Sequence, residues 1–155
     1  MKKVFLALAV VATLGFVSCN KNYAEKYEGS YLVDVYTEST LLQHVTHDTV
    51  LATPMNIVLD GEEGDVLIQF LGSDDFGKIT FQGTADKKGL HIKSYTSETT
   101  SQNNTATYVF SETVAQLDKD QLTWDQKLDG RIIIPDEQID WTITADRHCI
   151  ATKQK

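Results

Sequence analysis

Histidine and cysteine residues stand close together at two places in this chain. His44 and His47 are three residues apart, and Cys149 directly follows His148. Imidazole and thiolate groups are ligands that zinc prefers in proteins. Residues one or three apart on an extended strand point to opposite faces, however, and both pairs lie in stretches with the pattern of strands. We therefore predict no metal site and no cofactor.

Catalytic motifs give equally little support for an enzyme. The sequence contains no Gly-x-Ser-x-Gly elbow, P-loop, His-Glu-x-x-His or Cys-x-x-Cys motif. Its carboxylates cluster at predicted turns such as residues 118–120, where acidic side chains favour turn geometry and solvation. Cys149 is in phase with apolar residues, which predicts a buried and unreactive thiol. We predict that the protein is not an enzyme; a hydrolase built from His44, His47 and acidic loop residues is a weaker alternative.

The first residues have the features of an export signal. Lys2 and Lys3 precede an uncharged, mostly apolar stretch over residues 4–16. That stretch has the length of a signal-peptide core and is shorter than the roughly 20 apolar residues that a membrane-spanning helix needs. We therefore exclude this segment from the fold.

The signal ends in a sequence that resembles a lipoprotein cleavage site. Ser18 directly precedes Cys19, although Phe16 stands where Leu is usual three residues before the cysteine. We predict a signal peptide over residues 1–18, a lipid on Cys19, and a short polar tether that ends at Glu28. A plain secretory signal with an incidental cysteine is the alternative.

The net charge of the chain and the residue after Cys19 predict its partners and its location. Removing residues 1–18 from the 155 leaves 137, and the formal charge falls from −8 to −10 because Lys2 and Lys3 are lost. So acidic a chain repels phosphate backbones, which argues against nucleic-acid binding. In many Gram-negative lipoproteins an Asp after the lipidated cysteine retains the protein in the inner membrane. Asn20 therefore favours an outer-membrane lipoprotein, on the periplasmic or the surface side of the cell envelope.

From Gly29 onward, apolar side chains recur at every second residue, which is the pattern of half-buried strands. The clearest runs centre on five residues: Val33, Ile68, Ile92, Trp124 and Trp141. Turn-like sequences separate the runs, among them residues 86–89, 101–104 and 129–130. Residues 112–121 are the most ambiguous, and we interpret them as a strand and a hairpin.

This pattern predicts one all-β domain over residues 29–155. Short connections favour an antiparallel, up-and-down meander of eight or nine strands. Closing that meander into a barrel removes its exposed edges. A two-sheet β-sandwich would show the same alternation and is the alternative fold.

Two features of the predicted barrel resemble those of a known family. Gly29-x-Tyr31 opens the first strand, where lipocalins and their calycin relatives carry Gly-x-Trp. Calycins also place a basic residue of the last strand over that first-strand ring, and Arg147 is in phase with the apolar residue Trp141. The chain thus resembles calycin-like or lipocalin-like β-barrel lipoproteins of Gram-negative bacteria over residues 27–155. The resemblance implies that Tyr31 and Arg147 form a pair that closes one end of the barrel.

Apolar residues of the strands provide the material for a binding site. Six side chains are predicted to line or fill the interior: Val35, Phe70, Phe81, Tyr95, Phe110 and Trp124. An eight-stranded barrel is wide enough either to be filled by side chains or to hold one small ligand. We predict a lipid-anchored, non-enzymatic barrel that binds a small apolar or amphipathic ligand. The alternative is a solid barrel that acts as a protein-interaction or inhibitor module at the cell envelope.

A short motif suggests one modification. Asp48-Thr49-Val50 resembles the Asp-Ser/Thr-aliphatic acceptor for O-glycosylation in some Gram-negative anaerobes. Three residues match frequently by chance, so the mass of the intact native protein is the measurement that tests this prediction.

Overall fold

The computed structural model describes residues 22–61, 64–72 and 78–155. The predicted signal peptide and Cys19 lie outside the described residues. The described chain forms ten strands and one short 3-10 helix: β1 (Gly29–Leu41), β2 (His44–Leu59), β3 (Asp65–Leu71), β4 (Lys78–Ala85), β5 (Leu90–Ile92), β6 (Tyr95–Ser101), β7 (Asn104–Phe110), β8 (Thr113–Asp118), β9 (Gln121–Ile134), the 3-10 helix Pro135–Glu137, and β10 (Ile139–Lys153). In this part of the chain, no helix is long and apolar enough to cross a membrane.

Eight of the strands close into an antiparallel barrel. Their order around it is β1-β2-β3-β4-β5-β8-β9-β10, and β10 pairs again with β1. The closing register sets Tyr31 opposite Lys153 and Val35 opposite Cys149. The predicted all-β barrel is therefore confirmed, and the β-sandwich alternative is wrong. The predicted up-and-down order is interrupted once, because β5 pairs with β8 and the β6–β7 hairpin between them in sequence pairs with β9 instead.

Local sequence explains several of the connections. In the turn after β4, the Asp86 carboxylate accepts hydrogen bonds from the backbone N–H groups of Lys88 at 2.7 Å and Gly89 at 3.2 Å. The bond from Lys88 is the main reason that the pKa of Asp86 lies below its usual value. Between β6 and β7, Gln102 and Asn103 have positive φ, as a tight two-residue hairpin requires. The hairpin predicted within residues 112–121 is confirmed by β8 and its connection to β9.

Several strands continue past the closed barrel and form an open sheet above it. Its strand order is β6-β7-β9-β10-β1-β2. We call this part the upper sheet; it contains residues 35–41, 44–50, 95–110, 128–134 and 139–145. Strands β3 and β4 do not reach it, because β2 pairs with β3 only from Met55 to Leu59. The wall of the barrel is therefore tall on one side and short on the other.

A bulge marks the level at which β2 leaves the closed barrel. The register between β1 and β2 shifts between Val33 and Val35. Opposite the shift, Ala52 has a φ of 55° and its backbone N–H donates to the Asp34 carboxylate at 2.9 Å. An extra residue in one strand of an antiparallel pair bends that strand and increases its twist.

The lower end of the barrel is closed by the segment that precedes β1. Residues 23–27 form a turn in which Ala24 and Tyr27 are fully buried. The Tyr31 hydroxyl donates a hydrogen bond to the Tyr27 carbonyl at 2.6 Å. The folded part of the chain thus begins before Gly29, because burial of the Tyr27 ring draws the segment onto the barrel, and the predicted tether is correspondingly shorter.

Candidate functional site

The predicted interior residues form one packed cluster. Val35, Phe81, Phe110 and Trp124 are buried, and Phe70 and Tyr95 pack against them. The Phe81 ring is the centre of the cluster, with ring centroids 5.1 Å from Tyr95, 5.5 Å from Phe110 and 5.8 Å from Phe70. Aromatic pairs at these distances are in direct contact. The predicted residues do lie together inside the barrel, and they fill it at this level.

The predicted pair of Tyr31 and Arg147 is not formed. Across the seam, Tyr31 is opposite Lys153, whereas Arg147 is opposite Thr37, six residues further along β1. The Lys153 ammonium lies 5.8 Å from the centroid of the Tyr31 ring and occupies the place predicted for Arg147. Arg147 and Lys153 share the same strand phase, so only the register between the strands distinguishes them.

Arg147 has a different aromatic partner. Its guanidinium carbon lies 5.3 Å from the centroid of the Phe110 ring, on the inner side of the barrel wall. Burial lowers the pKa of this side chain. Among the described residues no carboxylate lies within ion-pair distance of Arg147, and no acceptor takes a hydrogen bond from it. Arg147 is thus a half-buried cation without a protein counter-ion in this part of the chain.

Above Arg147, the inner side of the upper sheet is apolar. We call this surface the upper inner face; it consists of Leu41, Tyr108, Leu128, Ile132, Trp141 and Ile143. All six side chains are half-buried. Cross-strand pairing sets Ile132 opposite Trp141 and Leu41 opposite Ile143, so the surface is continuous over β1, β9 and β10. Tyr108 and Leu128 pack against the core, and the remaining residues stand above it.

Gly130 lies at the centre of this surface. The prediction of a turn at residues 129–130 is wrong, because Gly130 lies within β9, between Tyr108 on β7 and Ile143 on β10. A side chain at this position would meet the Tyr108 ring, since an added Cβ would lie 2.9 Å from its Cδ1 atom. The glycine therefore allows the ring to pack closely against the strand, which is a known use of glycine within sheets.

A concave surface lies on the outer side of the same strands. We call it the outer groove; its volume is about 820 Å³. Val35, Cys149 and Trp124 face the interior, and none of them lines the groove. Its exposed lining residues are Tyr36, Glu38, His47, Asp48, Thr49, Glu112, Asp125, Lys127, Asp146 and His148. Arg147, which lies between Asp146 and His148 in the strand, also lines the groove.

Two histidine–carboxylate pairs lie in the outer groove. His148 Nδ1 is 2.7 Å from Asp125 Oδ1, and His47 Nδ1 is 3.6 Å from Glu38 Oε2. Among the described residues there is no group of three metal-ligating side chains. His44 lies at the tip of the β1–β2 hairpin and does not line the groove. The structure does not bring His44 and His47 together, as expected for strand residues three apart.

Cys149 is a buried side chain of the core, as the alternation predicts. Burial raises the pKa of its thiol to about 11, and the opposing influence of the nearby Arg147 is smaller. A thiol with so high a pKa is almost entirely protonated at neutral pH, and the thiolate is the reactive form. Cys149 is therefore unsuited to nucleophilic catalysis.

Comparison with known proteins adds little. No family model matches the chain, and no curated protein matches it. A solved structure from Bacteroides ovatus, described as a structural-genomics protein of unknown function, is similar with a TM-score of 0.36 and 16% sequence identity. The match covers 83% of this chain and 42% of the other, so this chain spans less than half the length of that protein. A TM-score of 0.36 is too low to assign a shared fold or function. The calycin-like family therefore stays a prediction.

Proposed function

We propose that this protein is a non-catalytic binding protein that holds an apolar or amphipathic ligand on the upper inner face. The observation that supports this most strongly is the half-buried apolar surface above a filled core. Trp141 and Ile143 share the face of the barrel interior, and among the described residues strands β3 and β4 end below their level on the opposite wall. Contiguous apolar surfaces that remain accessible commonly mark binding sites.

The filled interior changes the location of the predicted site but not its chemistry. Because the Phe81 ring packs against three other rings, the six predicted interior residues act as the floor of the site. Leu128 and Tyr108 connect that floor to the accessible surface above it. In this proposal, the closed barrel is a rigid scaffold and the upper sheet holds the ligand.

Binding of a neutral fluorescent probe, N-phenyl-naphthylamine, to residues 20–155 tests the proposal. Residues 22–155 include every strand of the closed barrel, so this fragment contains the complete scaffold. We expect probe fluorescence to rise on binding, and we expect Ile132→Gln to weaken binding by about tenfold or more, since a polar group would then interrupt the apolar surface.

Val109→Gln is the matched control for that variant. Val109 lies on the neighbouring strand, but its side chain is exposed on the opposite face of the upper sheet. We expect this variant to bind the probe as the unaltered protein does. Absence of probe binding, or equal losses in Ile132→Gln and Val109→Gln, would contradict the proposal.

A protein-interaction module is the second proposal, and the free edge of β2 supports it. Among the described residues, this strand pairs with β1 alone from His44 to Val50, and the bulge residues Leu51 and Ala52 pair with neither neighbour. Val45, Val50 and Leu51 are at least half exposed along this edge. Long, exposed and apolar strand edges are templates for pairing with another strand.

Self-association provides a direct test of pairing at the β2 edge. Sedimentation velocity would compare the unaltered fragment with a Val45→Lys, Leu51→Lys variant, because lysine on an edge opposes strand pairing. We expect the unaltered fragment to dimerise at high concentration and the variant to stay monomeric. If both proteins are monomeric at high concentration, the proposal that this edge pairs with a second copy of the chain is wrong.

For its place in the cell, we propose an outer-membrane lipoprotein anchored through Cys19. The support is the apolar segment of residues 4–16, which is followed closely by Ser18 and Cys19. The full chain expressed in a Gram-negative host should be found in the membrane fraction, with an N-terminal peptide that carries the mass of acyl chains. Cys19→Ala should release it, and an unmodified Cys19 in the mature protein would contradict this assignment.

A further inference from the structure

Arg147 is a charged side chain that has no hydrogen-bond or ion-pair partner among the described residues. A guanidinium has five N–H donors in a planar fork. In the described structure, Arg147 makes a contact with the face of the Phe110 ring and no hydrogen bond or ion pair. No described residue offsets the partial burial of this cation, so an anion bound here would form an ion pair that no described carboxylate already occupies.

The neighbours of Arg147 form a polar row across the barrel wall. Gln126 of β9 and Thr37 of β1 are its direct cross-strand partners. The Gln126 amide is fixed, because its Nε2 donates to the Ser111 carbonyl at 3.1 Å. Below this row lie the buried Cys149 and the aromatic core, and above it lies the apolar upper inner face.

We infer that Arg147 binds the carboxylate of an anionic amphiphile whose apolar chain lies along the upper inner face. This inference rests on the proposed function and names its ligand class. A planar carboxylate matches the guanidinium fork and can accept two parallel hydrogen bonds from it. The stacking of Arg147 on Phe110 holds the guanidinium in place before the ligand arrives, which lowers the entropic cost of binding.

The distances along β10 suit a ligand of this shape. Ala145, Ile143 and Trp141 follow Arg147 on the same face of the strand. Six residues of extended strand separate Trp141 from Arg147, which corresponds to about 20 Å. One end of this path offers a cation and the remainder offers apolar contacts. The site therefore fits a molecule with a single anionic end and a chain of that order of length.

The nearest carboxylate on the polar row does not neutralise Arg147. Asp48 is opposite Thr37 and is thus two strands away from Arg147, or about 10 Å. Its Oδ1 atom accepts a hydrogen bond from the backbone N–H of Thr49 at 2.8 Å, and its side chain is exposed. A ligand carboxylate that binds Arg147 would displace no ion pair among the described residues.

Competition between two matched ligands tests the inference. Laurate and dodecanol have the same apolar chain and differ in the charge of the head group. Each would displace N-phenyl-naphthylamine from residues 20–155. We expect laurate to bind more tightly by about 10- to 100-fold, which is the range for hydrogen bonds to a charged partner.

Substitutions of two arginines separate recognition from general electrostatic attraction. Arg147→Gln should remove the preference for laurate and leave dodecanol affinity within about twofold. Arg147→Lys keeps the cation without the planar fork and should restore part of the preference. Arg131→Gln removes the same charge from an exposed site on β9, where Arg131 pairs with Asp140, and should change neither affinity.

Each alternative result has a defined meaning. Equal binding of laurate and dodecanol by the unaltered protein would overturn the role of Arg147 while the proposed function stands. Failure of both ligands to displace the probe would overturn both. Equal losses for the two ligands in Arg147→Gln would show that Arg147 only supports the fold, and tighter binding of dodecyl phosphate than of laurate would overturn the carboxylate assignment. Thermal unfolding of each variant confirms that it is folded under the assay conditions.

Discussion

Tyr31 of β1 and Lys153 of β10 face each other across the seam that closes the barrel. The Lys153 ammonium lies 5.8 Å from the centroid of the Tyr31 ring and donates a hydrogen bond to the Lys26 carbonyl at 3.3 Å. This side chain therefore connects the last strand to the first strand and to the turn that precedes it. The contact joins the two ends of the described chain at the lower end of the barrel.

Replacing Lys153 with methionine should loosen this seam. The variant keeps the apolar stem and loses the cation, so we expect a loss of about 1 kcal/mol in the free energy of unfolding. Hydrogen exchange should also become faster at the amides of Tyr27 and Tyr31. Arg147→Met is the control, because Arg147 lies far up the same strand, and it should leave exchange at those amides unchanged. Faster exchange in both variants would contradict the assignment of the seam to Lys153.

The sequence predicted which side chains point into the barrel. It did not predict the register between the strands. Alternation alone placed Val35, Phe81 and Trp124 inside, because a strand has a side-chain period of two. Alternation cannot distinguish Arg147 from Lys153, because a register shift of whole residue pairs keeps every side chain on the same face. The seam therefore required knowledge of which residues stand opposite each other.

Turn signals in the sequence marked some turns of the barrel, suggested one that is absent and missed another. Asp86 marks a real turn, because its carboxylate binds the backbone of that turn. Gly130 lies in a strand, where the glycine makes room for the Tyr108 ring. Leu42 and Gln43 form the β1–β2 hairpin with positive φ, and neither residue type indicates such a turn. The sequence also did not predict how far the upper sheet extends past the closed barrel, because this depends on where β3 ends.

Alanine at position 130 should destabilise the upper sheet through its contact with Tyr108. The new Cβ would lie 2.9 Å from the ring, so the ring must move, and overpacking of this kind costs about 1 to 3 kcal/mol. The measurement is urea unfolding of Gly130→Ala alone and in a Tyr108→Ala background. In that background the cost should shrink by on the order of 1 kcal/mol, because no ring remains to be displaced. Additive effects of the two substitutions would contradict the proposed contact.

Truncation of Phe81 should be among the most damaging changes in the core. Its ring contacts three other aromatic rings inside the barrel. Deleting a buried phenylalanine ring leaves a cavity and costs about 3 to 5 kcal/mol. Val109→Ala, at an exposed position of the upper sheet, should change the free energy of unfolding by less than about 0.5 kcal/mol. A small loss for Phe81→Ala would mean that the interior is not filled around this ring.

Alkaline pH should destabilise the barrel through two buried acids. Burial raises the pKa of the Cys149 thiol from 9.0 to about 11, and that of the Tyr31 hydroxyl from 10.0 to about 12. Both folded-state pKa values are raised, so the folded state favours the protonated forms. For Cys149 this contribution is fully present below pH 9 and is lost as the pH rises through 11; for Tyr31 the corresponding loss begins near pH 10.

Urea unfolding at a series of pH values between 8 and 11 measures this effect. The Cys149 contribution should lower the free energy of unfolding by on the order of 2 kcal/mol by pH 11. Cys149→Ala should be less stable at pH 8, because it loses packing, but its stability should fall less steeply between pH 9 and 10. In that interval Tyr31 has hardly begun to contribute, so the difference in slope belongs to the thiol. Parallel pH profiles for the two proteins would show that the Cys149 thiol titrates normally in the folded barrel.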